Sequence, residues 1–286
     1  MTIKDVLSSF CHTNDDGSRI IVEDFGGSGP NLMIAHATGF CARMYLPLAL
    51  GLHHKYHCFA TNARNHGGST SARSSDANWE TYASDILAAM DRISSDPWIG
   101  FGHSYGATAL LLAEEQVPGR FESLYLYEPI VFDDDAMDIP EFDNPLSQMA
   151  KRRKQTFLTR SEAALNFGSK LPMASFDPLV LDLYLETGLN RGRDGKLHLA
   201  CARDFEAEIY AHARCHSAYE NLVNVRSTVH FVAGGTSLDF DYDHQQLLSL
   251  KTPNSSSSFI ANLGHFGPFD DPAQVASDIS TTLEGT

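Results

Sequence analysis

One stretch of the sequence decides how this chain folds: Trp98-Ile-Gly-Phe-Gly-His-Ser-Tyr-Gly-Ala-Thr-Ala-Leu-Leu-Leu-Ala113. Its first residues form a short apolar run that predicts a buried strand, and residues 105–113 are rich in helix formers. Gly102 and Gly106 flank Ser104 between the two. A sharp turn from strand to helix leaves room only for glycine at those positions and raises the serine hydroxyl above the sheet edge. Short Gly/Ser patterns also arise by chance, so the flanking elements carry the prediction of a serine nucleophile.

Short apolar runs alternate with helical patterns on both sides of this stretch. Strands are predicted at residues 31–36, 56–61, 97–102, 123–127, 229–233 and 257–262, and helices at 79–93, 105–115 and 272–283. Alternation of this kind indicates a mainly parallel sheet with helices on both faces. Residues 7–12 and 19–25 flank the turn signal Asn14-Asp-Asp-Gly17, which predicts an antiparallel edge.

The alternation breaks between residues 133 and 225. Helical patterns at residues 148–157, 161–166, 204–211 and 217–223 and a helix start at Asp177-Pro178 occupy this segment. Such a length is hard to treat as a loop. We therefore predict a core domain of residues 1–132 and 226–286 and a helical cap domain of residues 133–225.

Composition limits the classes of function. The chain has 286 residues, 43% of them hydrophobic, and a formal net charge of −15. That charge argues against nucleic acid, which is bound through basic side chains. Five scattered cysteines form no metal-binding spacing, the N-terminus lacks a signal-peptide pattern, and no apolar run is long enough to insert stably in a membrane. A cytoplasmic location is expected.

Two more segments extend the resemblance that begins at Ser104. His36-Ala-Thr-Gly-Phe40 resembles the HGxxG turn of the α/β-hydrolase superfamily, with Ala37 replacing the first glycine. Asn62-Ala-Arg-Asn-His-Gly-Gly-Ser69 resembles its D-x-R-G-H-G-x-S element, with Asn at the first and fourth positions. The resemblance covers essentially the whole chain. It implies an α/β fold with a mainly parallel eight-stranded sheet and a helical cap inserted after strand six.

The same resemblance identifies the base. In this superfamily the catalytic histidine follows the last strand, and His265 lies in Asn262-Leu-Gly-His-Phe-Gly-Pro268 after the final strand candidate. A serine hydroxyl needs such a neighbour to remove its proton. A histidine on a surface loop is the plainer alternative.

The sequence offers two positions for the acid. The usual position, three residues beyond Gly234, is Ser237, and Asp239 follows it. The alternative position is the end of strand six, where Glu128 closes an apolar run 24 residues after Ser104, as in haloalkane dehalogenases and mycotoxin-lactone hydrolases. We predict Glu128, with Asp239 as the alternative acid and Asp241 or Asp243 as further candidates.

The family supplies its oxyanion hole from two backbone N–H groups, which here correspond to Thr38 and Tyr105. It implies no cofactor. The cluster His53, His54 and His57 contains no acidic residue and suggests a helix end or loop rather than a metal site.

Specificity is expected to lie in the cap. One apolar group could line a pocket or simply pack the cap itself: Phe157, Phe167, Leu171, Pro172, Met173 and Phe176. Residues 151–154 form a basic run, Lys-Arg-Arg-Lys, which suggests a solvated helix face or else a site for an acidic substrate.

The resulting hypothesis is a cofactor-independent serine hydrolase acting on a small apolar carboxylic ester or lactone. Two alternatives stay open, namely a carbon–carbon bond hydrolase acting on a diketone and a ligand-binding receptor that retains the fold. The sequence does not predict the oligomeric state.

Overall fold

A computed structural model describes residues 8–73, 77–133 and 144–284. Its strands are β1 (Ser8–Thr13), β2 (Arg19–Gly27), β3 (Asn31–Ala35), β4 (His57–Thr61), β5 (Trp98–His103), β6 (Phe121–Tyr127), β7 (Thr156–Phe157), β8 (Leu189–Arg191), β9 (Leu197–Leu199), β10 (Thr228–Gly234) and β11 (Ser255–Ile260). Its helices are α1 (Leu46–Leu52), α2 (Trp79–Ile93), α3 (Tyr105–Gln116), α4 (Pro145–Lys151), α5 (Arg160–Gly168), α6 (Pro178–Thr187), α7 (Arg203–Ala211), α8 (Ala218–Asn221), α9 (Tyr242–Lys251), α10 (Gly267–Asp270) and α11 (Pro272–Leu283).

Eight strands form one sheet in the order β1-β2-β4-β3-β5-β6-β10-β11. β2 pairs antiparallel with β1 and β4, and the other neighbours are parallel. The predicted α/β-hydrolase architecture, with its mainly parallel sheet and antiparallel edge, is confirmed. The parallel arrangement brings the carboxyl ends of β3, β5, β6, β10 and β11 to one edge, which is where such sheets carry their sites.

Both faces of the central strands are buried, whereas the edge strands β1 and β11 are largely exposed. On β3, Leu32 and Ile34 pack into one apolar cluster, while Met33 and Ala35 pack into the other. This follows from the alternation of side chains along a strand. Helices α1 and α11 cover the first face, and α2 and α3 cover the second. The central strands β3 and β5 are continuous apolar runs because both of their faces are covered.

The inserted segment, residues 144–225, lies between β6 and β10. It contains α4 to α8 and a small sheet in the order β7-β9-β8. The prediction of one helix over residues 148–157 is wrong, because α4 ends at Lys151 and Thr156–Phe157 pair with β9. A pairing across forty residues leaves no local sequence signal. Residues 134–143 lie outside the described residues, so the boundary at 133 stays a prediction, as does the cap domain itself.

Over the described ranges, no helix has both the length and the apolar character needed to cross a membrane. All five cysteines are free thiols.

Candidate active site

Ser104 occupies a strained bend between β5 and α3. Its φ of 56° and ψ of −119° lie in a region that non-glycine residues rarely adopt. A Cβ atom on Gly102 would lie 2.4 Å from Ala107 Cα, and one on Gly106 would lie 2.1 Å from the Ala35 carbonyl oxygen. Both contacts are with backbone, which cannot yield as a side chain does. The two glycines around the serine are therefore required by the turn.

His265 follows β11 and contacts both other predicted members of the site. Its Nε2 lies 3.2 Å from Ser104 Oγ, and its Nδ1 lies 2.6 Å from Glu128 Oε2. Since an ionised carboxylate only accepts hydrogen bonds, Nδ1 carries the proton and the Nε2 lone pair faces the serine hydroxyl. This orientation allows the imidazole to accept the hydroxyl proton.

Glu128 closes β6 with a φ of 47° and is fully buried. Besides His265, its carboxylate accepts hydrogen bonds from the Gly234 N–H at 2.6 Å and from the Ser237 hydroxyl at 2.5 Å, both at Oε1. A buried carboxylate is costly without partners, and here both oxygens have them. The carboxylate is thereby held toward the imidazole.

The other candidate acids lie elsewhere. Asp239 is exposed, and within the described residues no contact joins its carboxylate to His265. Asp241 caps α9 by accepting from the His244 N–H at 3.0 Å, and Asp243 lies in the first turn of that helix. Ser237, at the position where the family commonly has its acid, instead donates to Glu128. Sequence reasoning noticed that serine but missed its contact.

Two buried side chains donate hydrogen bonds to the loop that carries His265. His103 Nε2 donates to the His265 carbonyl oxygen at 2.8 Å, and the Tyr127 hydroxyl donates to the Gly264 carbonyl oxygen at 2.8 Å. These residues directly precede Ser104 and Glu128. Burial lowers the pKa of His103 well below its ordinary value, so the ring is neutral. Its other nitrogen accepts from the Tyr45 hydroxyl at 2.8 Å.

The loop after β3 carries the first predicted oxyanion donor. In this loop the Ala37 N–H donates to the Tyr45 hydroxyl at 3.2 Å, and the Gly39 N–H donates to His66 Nε2 at 3.1 Å. Within the described residues, the Thr38 N–H has no hydrogen-bond acceptor. The Tyr105 N–H, the second predicted donor, is the first of α3 and lies at the positive end of that helix. Both predicted donors lie at the edge of the sheet that carries Ser104.

Two buried histidines join this loop to the next one. His36 Nε2 accepts from the Ala63 N–H at 2.9 Å, and His66 Nε2 accepts from the Gly39 N–H at 3.1 Å. The Nδ1 atoms donate to the carbonyl oxygens of Ala37 and Arg64. Burial lowers the pKa of His36 to about 3 and that of His66 to about 4. Both rings are neutral supports of the loop rather than acids or bases.

A cavity of about 410 Å³ lies beside the site, under the inserted segment. Its inner wall includes Phe40 and Phe266, which follow Gly39 and His265 in the chain. Its size is that of a small-molecule pocket. Neither Ser104 nor His265 belongs to its described lining.

The cap residues predicted from sequence divide into two groups. Phe167, Leu171, Pro172 and Met173 line the cavity. Phe157 is buried against Phe167, and Phe176 packs on Phe40, Phe266 and Phe269, so these two serve the packing. Within the basic run, Arg152, Arg153 and Lys154 line the cavity.

Among residues 8–73, 77–133 and 144–284, no group of three or more His, Cys, Asp or Glu side chains is arranged to hold a metal ion.

Comparisons with known proteins agree with this architecture. A sequence model described as the alpha/beta hydrolase family matches residues 32–278. No curated protein gives a significant sequence match. The solved structure of E-2-(acetamidomethylene)succinate hydrolase superposes with a TM-score of 0.82 at 19% identity, covering 97% of this chain and 100% of that one.

Two further solved structures are similar. An esterase from Exiguobacterium antarcticum has a TM-score of 0.75 at 15% identity, with 97% of this chain and 100% of that chain covered. The N-formylmaleamic acid deformylase from Pseudomonas putida has a TM-score of 0.73 at 16% identity, with 95% and 100% covered. At these identities the likeness is one of fold.

Proposed function

The chain belongs to the alpha/beta hydrolase family, and we propose that it is a serine hydrolase that cleaves a small carboxylic ester or lactone through an acyl-enzyme. One observation carries the proposal. A continuous hydrogen-bonded chain runs from Glu128 to His265 at 2.6 Å and from His265 to Ser104 at 3.2 Å. Nucleophile, base and orienting acid in this order are what acyl transfer through a serine requires.

In the first half of the proposed reaction, His265 Nε2 takes the proton of Ser104 as the hydroxyl oxygen attacks the substrate carbonyl carbon. The imidazole becomes a cation, and the carboxylate of Glu128 stabilises it. The C–O bond to the alcohol then breaks, and the alcohol oxygen takes the proton back from Nε2. An ester releases the alcohol, whereas a lactone keeps it attached to the acyl group.

The carbonyl oxygen becomes negative while the tetrahedral intermediate exists. We assign its stabilisation to the N–H groups of Thr38 and Tyr105, because preorganised backbone donors are effective in a site with little water. In the second half of the reaction, His265 deprotonates a water molecule that attacks the acyl carbon. The acid product leaves and Ser104 recovers its proton.

The substrate is expected to be small, and its body is expected to be apolar. The cavity of about 410 Å³ supports this expectation, since Phe40, Phe266, Met149 and Met173 are among its lining residues. In this proposal the inserted segment acts as a cap that covers the part of the substrate away from Ser104.

A fluorophosphonate probe tests the proposal directly. We expect one covalent adduct, mapped by mass spectrometry to Ser104, and a burst of 4-nitrophenol when 4-nitrophenyl butyrate is mixed with enzyme. Ser104→Ala should abolish both. The matched control is Ser84→Ala, which changes an exposed serine on α2 and should label and turn over like the wild type.

Folded protein that takes up no probe at Ser104 would contradict the proposed nucleophile. Hydrolysis of a diketone without any hydrolysis of esters would instead favour the carbon–carbon hydrolase. Tight binding of a ligand, with slow hydrolysis that Ser104→Ala leaves unchanged, would favour a receptor.

A further inference from the structure

The cavity beside the site has a charge opposite to that of the chain. The protein carries a formal charge of −15, yet among the described residues four cationic side chains and one carboxylate, that of Glu206, line the cavity. A concave surface lined by one sign of charge concentrates ligands of the opposite sign. The described lining of this cavity therefore favours an anion, although the net charge of the chain is negative.

Two of the four cations are already neutralised. Arg153 forms an ion pair with the buried Glu206, and its Nη2 donates to the Tyr184 hydroxyl at 3.0 Å. Lys154 Nζ lies 2.5 Å from Glu162 Oε1. Neither side chain has its full charge available for a ligand.

For the other two cations, Arg152 and Lys170, the described residues provide no carboxylate partner. Lys170 Nζ donates to the neutral amide oxygen of Asn166 at 2.9 Å, and among the described residues no carboxylate forms an ion pair with either side chain. Both residues are exposed at the cavity, one after α4 and the other after α5. They follow two different helices, and both line the same cavity.

Most of the remaining lining of the cavity is apolar, and it includes the residues that follow Gly39 and His265 in the chain. Phe40 and Phe266 form its inner wall, and their rings are 5.9 Å apart. The Arg153–Glu206 pair lies over Gly39 in the proposed oxyanion loop, since a Cβ on Gly39 would lie 2.7 Å from Glu206 Oε1. A substrate that reacts at Ser104 with its body in this cavity would lie against these aromatic rings and share the cavity with Arg152 and Lys170.

We propose that the preferred substrate is an ester or lactone whose apolar body carries a carboxylate, and that Arg152 and Lys170 bind this carboxylate at the cavity. The inference rests on the proposed function and narrows its substrate class. A guanidinium offers a planar pair of N–H donors that matches a carboxylate, and an ammonium adds a second positive charge.

Two matched pairs of esters test this class. Mono(4-nitrophenyl) adipate and 4-nitrophenyl hexanoate have acyl chains of equal length and differ by the carboxylate. 4-Carboxyphenyl acetate and 4-carbamoylphenyl acetate place the same difference on the leaving group. In at least one pair we expect kcat/KM to be about tenfold higher for the anionic member, since two partly exposed ion pairs contribute on this scale. High salt should reduce that preference.

Two double variants test whether Arg152 and Lys170 cause the preference for anionic esters. Arg152→Gln combined with Lys170→Gln should remove the preference by raising KM for the anionic ester more than for the neutral one. The matched control is Lys151→Gln with Lys196→Gln, which changes the net charge equally at exposed residues that do not line the cavity. It should keep the preference. If the neutral ester is the better substrate in both pairs, or if the preference survives the cavity variant, the inference is wrong.

The anion site can be tested even if the protein is not a hydrolase. If no ester is turned over, calorimetry with adipate still decides the inference. Binding to the wild type that the cavity variant loses would support the anion site, whereas absence of adipate binding to the wild type would overturn it.

Discussion

Two bends at adjacent strand ends carry the proposed nucleophile and the proposed acid. Three non-glycine residues in the described part of the chain have a positive φ, and two of them are Ser104 at 56° and Glu128 at 47°. The N–H of Ser104 donates to the Tyr127 carbonyl oxygen at 2.9 Å, and the N–H of Glu128 donates to the Val232 carbonyl oxygen at 2.9 Å. Both residues therefore keep a hydrogen bond to the neighbouring strand. The residue before each bend holds the loop of His265.

The two bends differ in what stabilises them. Around Ser104, glycines at 102 and 106 make room for backbone, so the local sequence permits the strain. Glu128 has Tyr127 and Pro129 as neighbours, and its strain is offset by hydrogen bonds to its carboxylate from three distant groups. A strained residue thus persists through either local sterics or tertiary contacts. The comparison explains why one bend has a sequence signature and the other does not.

The largest expected effect comes from removing the reactive side chain at each bend. Ser104→Ala should lower kcat on 4-nitrophenyl butyrate by about 10⁶, and Glu128→Ala by about 10⁴, because an orienting acid contributes less than the nucleophile. Asp239→Ala is the control and should change kcat less than about twofold. A large loss in Asp239→Ala with a small one in Glu128→Ala would reverse the assignment of the acid.

Breaking the local support of the first bend should cost stability. Gly106→Ala places a methyl group 2.1 Å from the Ala35 carbonyl oxygen. We expect the free energy of unfolding, measured with urea, to fall by about 3 kcal/mol. The control is Gly168→Ala, whose Cβ would make an ordinary 3.5 Å contact with Leu181 and which should leave stability unchanged or slightly higher. Equal urea midpoints for Gly106→Ala and wild type would show that the bend can relax.

Breaking the tertiary support of the second bend should affect rate more than folding. Ser237→Ala removes one of the two donors at Glu128 Oε1, and kcat should fall about tenfold, since a hydrogen bond to a charged group is worth about 1.5–3 kcal/mol. Ser237→Thr keeps the hydroxyl and should restore most of the rate.

Moving the acid from position 128 to position 237 is a second test of how the carboxylate is held. In the Glu128→Ala background, Ser237→Asp should recover at least about tenfold in kcat, because it returns a carboxylate to the family's usual position. If Ser237→Ala has wild-type kcat, its contact with Glu128 has no part in orienting the acid.

The smallest expected effect is the loss of stability at acidic pH that His36 and His66 cause. His36 and His66 hold the loop beside the first bend as neutral rings, with folded pKa values lowered by burial to about 3 and about 4 from an ordinary 6.5. Below pH 6.5 the unfolded state binds protons that the folded state does not, so stability falls as the pH falls. At about pH 5.5 each histidine should cost about 1 kcal/mol of unfolding free energy.

Urea unfolding at about pH 7 and about pH 5.5 measures this loss. His66→Gln should show a smaller decrease than wild type, and His54→Gln, which changes an exposed histidine, should show the same decrease. An unchanged decrease in His66→Gln would mean that other groups cause the acid sensitivity.

Much of the fold was predictable because its signals are local. The apolar runs and the helix over 79–93 coincide with elements of the structure. The small sheet β7-β9-β8 was missed, since its strands of two or three residues are stabilised only by pairing. In the candidate site, motif order predicted Ser104 and His265, whereas the acid stayed divided between Glu128 and Asp239.

The sequence by itself determined the strand, the bend and the helix around Ser104, because backbone sterics and side-chain periodicity act over a few residues. Only the tertiary structure decided which carboxylate faces His265 and which cations face the cavity. Those contacts join groups as far apart as 137 residues in the chain, as between Glu128 and His265. Local backbone conformation depends on neighbouring residues and can be predicted from them. Hydrogen bonds and charge contacts between distant residues depend on where the sheet brings their loops together.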